Sequence, residues 1–484
     1  MYYLGIDVGT SSLKVTMINE KRQILYEAGY PYCFDEPQEG YREIQPEIWL
    51  KTTLKALKDL LKKYDVNQLT TIGITGQMHT AVFLDADGAS VRPAIMWNDL
   101  RTRELVPQLK ATLAKNEETK YIAKIISPGS PATDLLWLYE NERDHFMQIK
   151  RVMSAYDYLV YGLTGCYSLD YCDASTSSLY DIATKQWSEI MLNLTKIKGE
   201  ALGEVYPSCK IVGSIKSEIA EMLGINHEVN VIAGTGDNPA NAVSMGILQS
   251  KHPMISLGTS GVVIVAKDDG EFDGVGKNVI FTTFGEKFIN VVQGSVRSAG
   301  GAHRWWVENI VQSEDMTIDQ QDINPAELGN NQVLFFPHIT GDKLIYADTS
   351  IRGAFVGLSA ASARKDMSQA LMEGVGFAFK EVLENMNLKK DLTRIKINGG
   401  GSRSKIWMQI LADILDTEIE VMTNKTSPGY GACLLAYMAN HHEYTGDIEQ
   451  ESGIIYRPDD EAVKRYQPNY LRYKKLYKAL KEID

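Results

Sequence analysis

Two acidic residues stand where glycines and small side chains leave the backbone bare. Asp237 lies in Ala233-Gly234-Thr235-Gly236-Asp237-Asn238-Pro239-Ala240-Asn241-Ala242, directly behind the apolar run Val229 to Ile232. A carboxylate left accessible at a strand end can meet a substrate hydroxyl and take its proton. The same position also suits an Asp that caps the next helix. Asp7 comes just before Gly9-Thr10-Ser11-Ser12. A turn of that composition between two strands offers N–H and hydroxyl donors to phosphate oxygens. A carboxylate beside such a cradle repels phosphate unless a divalent cation lies between them, and Mg²⁺ held with ATP accounts for the pair.

Gly258-Thr259-Ser260 repeats the turn in the second half, and Asn398-Gly399-Gly400-Gly401-Ser402-Arg403-Ser404 forms a third glycine cluster. Three glycines let a flat ligand approach the backbone, and a following helix N-terminus favours an anion. Each of these is equally readable as an ordinary turn. Neither common nucleotide loop competes with them. Gly276-Lys277 is followed by Asn278 and lacks the earlier glycine of a P-loop, and no G-x-G-x-x-G follows a strand. His79, in Gly76-Gln77-Met78-His79, is read either as a structural histidine at a strand end or as a ligand to a polar substrate. Trp97-Asn98-Asp99 joins an aromatic plate to polar tips, a combination found in carbohydrate sites and also above ordinary cores.

Strands and helices must bring these residues together. Residues 2 to 8 form an apolar run, and Leu13 to Ile18 alternates apolar and polar, so the chain is expected to open as a hairpin with a third strand over Gln23 to Tyr30. Gln45-Pro46 opens a helix with Leu50, Leu54, Leu57 and Leu61 on its buried face. Strands are expected at Thr71 to Thr75 and Thr80 to Leu84, which puts Gln77 to His79 where a strand meets its turn. The opening pattern then returns: Met254 to Gly261 runs into Val262 to Val265, so strand, Gly-Thr-Ser turn and strand occur once in each half. This self-similarity predicts duplicated domains over 1–247 and 248–484, with the boundary near Lys251-His252-Pro253. A strand over Arg394 to Ile397 leads into the third glycine cluster, and a helix buries Ile406, Ile410, Leu411 and Ile414 behind it. One closing helix puts Tyr470, Tyr473, Tyr477 and Leu480 on a face.

Composition narrows the partners. The chain has 484 residues, 44% of them apolar, and a formal charge of −12, so it can bury a large core and lacks a basic surface for nucleic acid. No charged-then-apolar leader and no run of about 18 apolar residues is seen, so a cytoplasmic protein with no membrane partner is expected. Cys33, Cys166, Cys172, Cys209 and Cys433 are odd in number and contain no C-x-x-C pair, which predicts buried, reduced thiols.

Taken together, Gly5-Ile6-Asp7-Val8-Gly9-Thr10-Ser11-Ser12, Gly76 to His79, Trp97 to Asp99, Gly236-Asp237-Asn238, Leu257 to Gly261 and Gly399 to Ser404 resemble the FGGY family of carbohydrate kinases, in an order and spacing that span nearly the whole chain. The resemblance implies an α/β fold of two actin-like (ribonuclease H-like) domains, with ATP and a sugar in the deep cleft between them. It implies Asp237 as general base, Gln77, Met78, His79, Trp97 and Asn238 with Asp237 at the sugar, and Asp7 near phosphates and Mg²⁺, to which Asp237 is a second candidate ligand. It further implies Gly9, Thr10, Ser11, Ser12, Gly258, Thr259, Gly399, Gly400, Gly401 and Ser402 around the nucleotide.

The Gln-Met-His and Trp-Asn-Asp stretches are most similar to the xylulose-phosphorylating members, which implies a pentulose as substrate. L-xylulose, ribulose and gluconate stay open, as do a non-catalytic ATP- and sugar-binding protein and a homodimer. Two departures bear on the cleft. Asp134, in Gly129-Ser130-Pro131-Ala132-Thr133-Asp134-Leu135-Leu136-Trp137, stands where the family usually has lysine, and Thr340-Gly341-Asp342-Lys343-Leu344-Ile345-Tyr346 stands where it tends to have Gly-Glu-Arg-x-Pro.

Overall fold

Strands buried largely on both faces build two sheets on one plan. The computed structural model describes residues 1–247, 252–269, 276–342, 345–346, 348, 350–388, 392–422, 426–442 and 453–483. In the first half β1 (Tyr2–Val8) and β2 (Ser12–Asn19) form the expected hairpin, and β3 (Ile24–Pro31) pairs antiparallel with β2. Helix α1 (Glu47–Leu61) follows Pro46 and buries Trp49, Thr53, Ala56, Leu57 and Leu60. Its inward face is therefore rotated from the leucine stripe: Leu50, Leu54 and Leu61 lie half-buried at the core's edge, because Trp49 supplies the largest apolar surface.

Next come β4 (Leu69–Gly76), α2 (Pro131–Asn141), α3 (Tyr171–Thr176), β5 (Ile211–Ser214), β6 (Asn230–Ile232), β7 (Thr235–Gly236) and α4 (Asp237–Ser244). The sheet runs β5-β6-β4-β1-β2-β3, with β7 also on β4. Strands β1, β6 and β7 all lie parallel to β4, so their carboxyl ends share one edge.

The second half repeats the plan with β8 (Met254–Leu257), β9 (Gly261–Asp268), β10 (Lys277–Phe281), β11 (Ile289–Val296), α5 (Gly300–Trp305), α6 (Arg364–Asn385), β12 (Arg394–Asn398), α7 (Lys405–Leu415), β13 (Glu418–Val421), α8 (Pro428–His441), β14 (Ile454–Tyr456), α9 (Asp460–Tyr473) and α10 (Leu476–Lys481). Its sheet order is β10-β11-β9-β8-β12-β13-β14, in which β8-β9 matches the β1-β2 hairpin and parallel β12 matches β4. The expected boundary at 247/248 and Lys251 abuts residues 248–251, which lie outside the described residues.

Each half has its own core, and a third cluster joins them, with Tyr3, Met78 and Val243 from one half and Met254, Phe281 and Leu434 from the other. Helix α8 crosses to the first sheet. A Cβ at Gly5 would collide with the Gly429 carbonyl oxygen, and one at Gly73 with that of Ala432. Two further expectations are corrected. The closing helix is broken into α9 and α10 between Tyr473 and Leu476, and Cys33 is exposed and Cys166 half-buried, whereas Cys172, Cys209 and Cys433 are buried. Among the described residues no helix is long and apolar enough to cross a membrane.

Candidate active site

The parallel strands of the first sheet deliver the acids to one edge, as open α/β sheets present ligands at strand carboxyl ends. Asp7 pairs with Thr75 and Thr235 pairs with the same residue from the other side. In the next row, Val8 and Gly236 flank Gly76. Asp237 follows at once as the first residue of α4, where Gly236 occupies the cap without a side-chain bond. Asp237 is thus not the helix cap.

Burial lifts the Asp237 carboxyl to about 7, and the Asp7 charge adds to the shift, while the main-chain N–H groups of Asn238 and Asp237 oppose it. Burial lifts Asp7 to about 6, with Lys14 opposing. Two carboxylates that disfavour each other's ionisation are a set that a divalent cation relieves. No cluster of three His, Cys, Asp or Glu capable of holding a metal occurs among the described residues. The pair fits Mg²⁺ held mostly by water and phosphate oxygens, not by a protein cage.

The Gly9 turn is braced on several sides. Gly9 N–H donates to Ser12 O at 3.1 Å, Tyr32 N–H to Ser11 O at 3.0 Å, and the Tyr32 hydroxyl to Gly9 O. Gln77 Nε2 donates to Gly9 O at 3.3 Å, so Gln77 is buried against the turn, with its Oε1 lacking a partner among the described residues. Trp97 is 44% exposed and donates its indole N–H to Thr10 Oγ1 at 3.1 Å, tying that plate to the same turn. Asp99 faces the other way, accepting from Arg42 N at 2.6 Å and from Arg101 Nε at 2.9 Å. Met78 lies against Gly236, and Asn238 Nδ2 donates to Gln293 Oε1 at 3.1 Å. His79 holds a left-handed φ of 69°, and its N–H points to Asp173 Oδ1 at 3.5 Å.

The second half builds the matching edge. Gly258 N–H donates to Ser260 O at 3.1 Å. Helix α5 then seats on the turn, with Gly300 N–H donating to Gly258 O at 2.9 Å and Gly301 N–H to Thr259 O at 2.8 Å. A Cβ on Gly301 would lie 2.9 Å from Thr259 O, so these two glycines let α5 seat on the turn, a contact that sequence reasoning passed over. Gly399, at φ 98°, passes Leu257 O so closely that a Cβ would sit 2.6 Å from it, and Gly400 faces open space. Ser402 Oγ donates to Gly399 O at 2.8 Å. A double-glycine Gly-Gly after a strand was the available signal for Gly300 and Gly301, but only the tertiary contact gives it meaning.

The two departures sit in different settings. Asp134 is fully buried in α2 with no hydrogen-bond partner on either oxygen among the described residues, and burial, then the Asp99 charge, hold its carboxyl well above the usual range against Arg101 and Arg92. Tyr346 stacks on Tyr477 with centroids 4.1 Å apart and donates to Glu381 Oε2 at 2.7 Å, which docks that loop on α10 and α6.

Comparison with known proteins agrees with this architecture. Residues 2–244 match the N-terminal domain, and residues 254–440 the C-terminal domain, of the FGGY family of carbohydrate kinases. The chain is 32% identical over 481 residues to a xylulose kinase of Staphylococcus xylosus, covering 98% of this chain and 99% of that one. It is 33% identical over 498 residues to a xylulose kinase of Lactococcus lactis subsp. lactis, covering 100% and 98%. The crystal structure of a xyloylose kinase from Brucella ovis superposes with a TM-score of 0.92 at 30% identity, covering 100% of each chain. Two actin-like halves, their matched turns and these full-length similarities lead to one conclusion: the chain belongs to the FGGY family of carbohydrate kinases.

Proposed function

We propose that the chain transfers the γ-phosphoryl group of ATP to a terminal hydroxyl of a neutral pentulose, D-xylulose before other sugars. The observation that carries this reading is the placement of Asp237 beside Asp7 at the shared strand edge, on a helix whose Asn241 is hydrogen-bonded to Asn398, the residue before the Gly399 cluster. The sugar hydroxyl oxygen attacks phosphorus in line, the bond from phosphorus to the ADP oxygen breaks, and the hydroxyl proton passes to an Asp237 carboxylate oxygen. A carboxyl lifted to about 7 is well matched to that exchange near neutral pH. Asp7 would hold Mg²⁺, with Asp237 a second candidate, and the ion would supply neutralisation of phosphate charge. Residues 1–247 chiefly serve the sugar, with Met78, His79, Trp97 and Asn238 around it. Residues 248–484 chiefly serve the nucleotide.

Two features favour a neutral sugar. Asp7 and Asp237 already share a buried strand edge and each has a raised carboxyl, so a sugar-acid carboxylate beside them would add a like charge. Buried Gln77 Oε1 and Gln293 Nε2 lack hydrogen-bond partners among the described residues, which suits a ligand rich in hydroxyls. The names of the full-length relatives point the same way. A coupled ADP-release assay over D-xylulose, L-xylulose, D-ribulose and gluconate tests it. D-xylulose is expected to give the highest kcat/KM. Gluconate ahead of it would overturn the neutral-sugar argument, and no sugar-stimulated ADP would leave a binding protein.

A further inference from the structure

The edge strand of the second sheet reaches into the sugar side of the first half. Along β10, Ile280 N–H donates to Ser175 Oγ of α3 at 3.1 Å, and the Tyr121 hydroxyl both donates to Asn278 O and accepts from Asn278 N–H, each at 3.0 Å. The chain beyond continues the seam, with Ser208 N–H donating to Thr282 O at 2.9 Å and Cys209 N–H to Thr283 O at 2.9 Å. An edge strand's unpaired backbone is thereby satisfied by the other half of the molecule.

At the head of this strand stands Lys277. Its Nζ contacts His79 Nε2, and its charge acts on the buried Asp173 carboxylate, which also receives the His79 N–H. An ammonium can only donate, so this contact requires His79 Nε2 to be the accepting nitrogen. The left-handed backbone of His79 is a strained conformation for a residue with a Cβ, and it persists only where neighbours over-determine it. Asp173 and Lys277 hold it from two sides. Lys277 is also in register with Gln293 of β11, whose Oε1 accepts from Asn238, the residue next to Asp237. The second half therefore touches the sugar side at two adjacent points.

We propose that Lys277 is a positioning residue for the sugar, supplied by the second half: with Asp173 it fixes the His79 ring and backbone, so that the sugar pocket is complete only when β10 is docked. This rests on the reading of His79 as a sugar-facing residue. Closure of the nucleotide-side half would then be sensed at the sugar through Lys277 as well as through the cleft. The pair also explains how a lysine can sit at a neutral-sugar site without attracting sugar acids, because Asp173 offsets its charge.

The test uses the full chain and its Lys277→Met and Lys277→Arg variants. Sugar KM, ATP KM and kcat are measured together with the melting-temperature rise produced by D-xylulose alone. Lys277→Met is expected to raise sugar KM by about tenfold to a hundredfold, the scale of a lost hydrogen bond to a charged group, with ATP KM changed by less than about twofold. Lys277→Arg should recover part of the loss, and the sugar-induced melting shift should vanish in Lys277→Met. An unchanged sugar KM, or parallel rises in sugar and ATP KM, would overturn the assignment. If the unsubstituted chain releases no ADP with any sugar, the kinase reading fails, and Lys277 is judged by the melting shift: its loss in Lys277→Met upholds the role, and an equal or absent shift in both proteins refutes it.

Discussion

The side-chain amide of Asn398 donates to the side-chain oxygen of Asn241 at 3.3 Å, across 157 positions of sequence. Asn398 ends β12 just before Gly399, and Asn241 lies one helical turn beyond Asp237 in α4. The bond therefore ties the strand end that leads into the Gly399 cluster to the helix that carries Asp237, the proposed base. A double-mutant cycle with Asn241→Ala and Asn398→Ala, read on kcat/KM, should give a coupling energy of about 0.5–3 kcal/mol, as contacting residues do. Strict additivity would mean the two sites are not linked through this pair.

The acids predict a pH profile. Asp237 acts ionised, so sugar kcat/KM should fall as pH drops through about 7, where burial and the Asp7 charge place its carboxyl. A cation favours ionised carboxylates, so raising Mg²⁺ should move this limb to lower pH. Asp7→Asn removes the second cause of the shift and should also move the limb down, while increasing the Mg²⁺ needed for half-maximal turnover. A limb that ignores both Mg²⁺ and Asp7 would exclude the pairing.

Glycine substitutions separate packing from ligand approach. Gly73→Ala drives a Cβ into the Ala432 carbonyl of α8, against backbone that cannot swing away, and should destabilise the chain by about 1–3 kcal/mol or more. Gly400→Ala meets no protein atom within 4 Å, so the melting temperature should hold while ATP KM rises. Thermal melts and ATP titrations of both variants check this, and a stable Gly73→Ala would show that α8 is not seated as described.

Asp134 should leave a mark on stability. Its carboxyl is held well above the ordinary carboxylate value, so the folded state binds its proton more tightly than the unfolded state does. The contribution is fully present below that value and is lost as pH rises through the folded one. Asp134→Asn cannot ionise, so its melting temperature relative to the parent chain should improve as pH rises from the ordinary carboxylate range toward neutrality. A constant difference across that range would rule the shift out.

Much of the site was readable because it sits in short, local signals. The Gly9 and Gly258 turns, the strand before Asp237 and the cluster after Arg394 to Asn398 all occur where the spacing put them. What stayed hidden depends on register and on packing between distant segments. Lys277 was visible only as a failed phosphate loop, Gly300 and Gly301 matter only because α5 meets the Gly258 turn, and Gly429 and Ala432 of α8 matter only against Gly5 and Gly73. The leucine stripe of α1 was misjudged for the same reason, since Trp49 decided which face turned inward.

The most direct test of the account is Asp237→Asn, with turnover, melting temperature and ATP affinity measured on one preparation. Asn keeps the side chain's size but cannot take the hydroxyl proton. A positioned base contributes about 10²–10⁴ in rate, and turnover should fall by that factor. Because Gly236 occupies the helix cap, the melting temperature should hold, and the nucleotide turns of the second half should keep ATP affinity unchanged. Turnover retained within a few-fold of the parent chain would contradict Asp237 as the base and, with it, the account of the site.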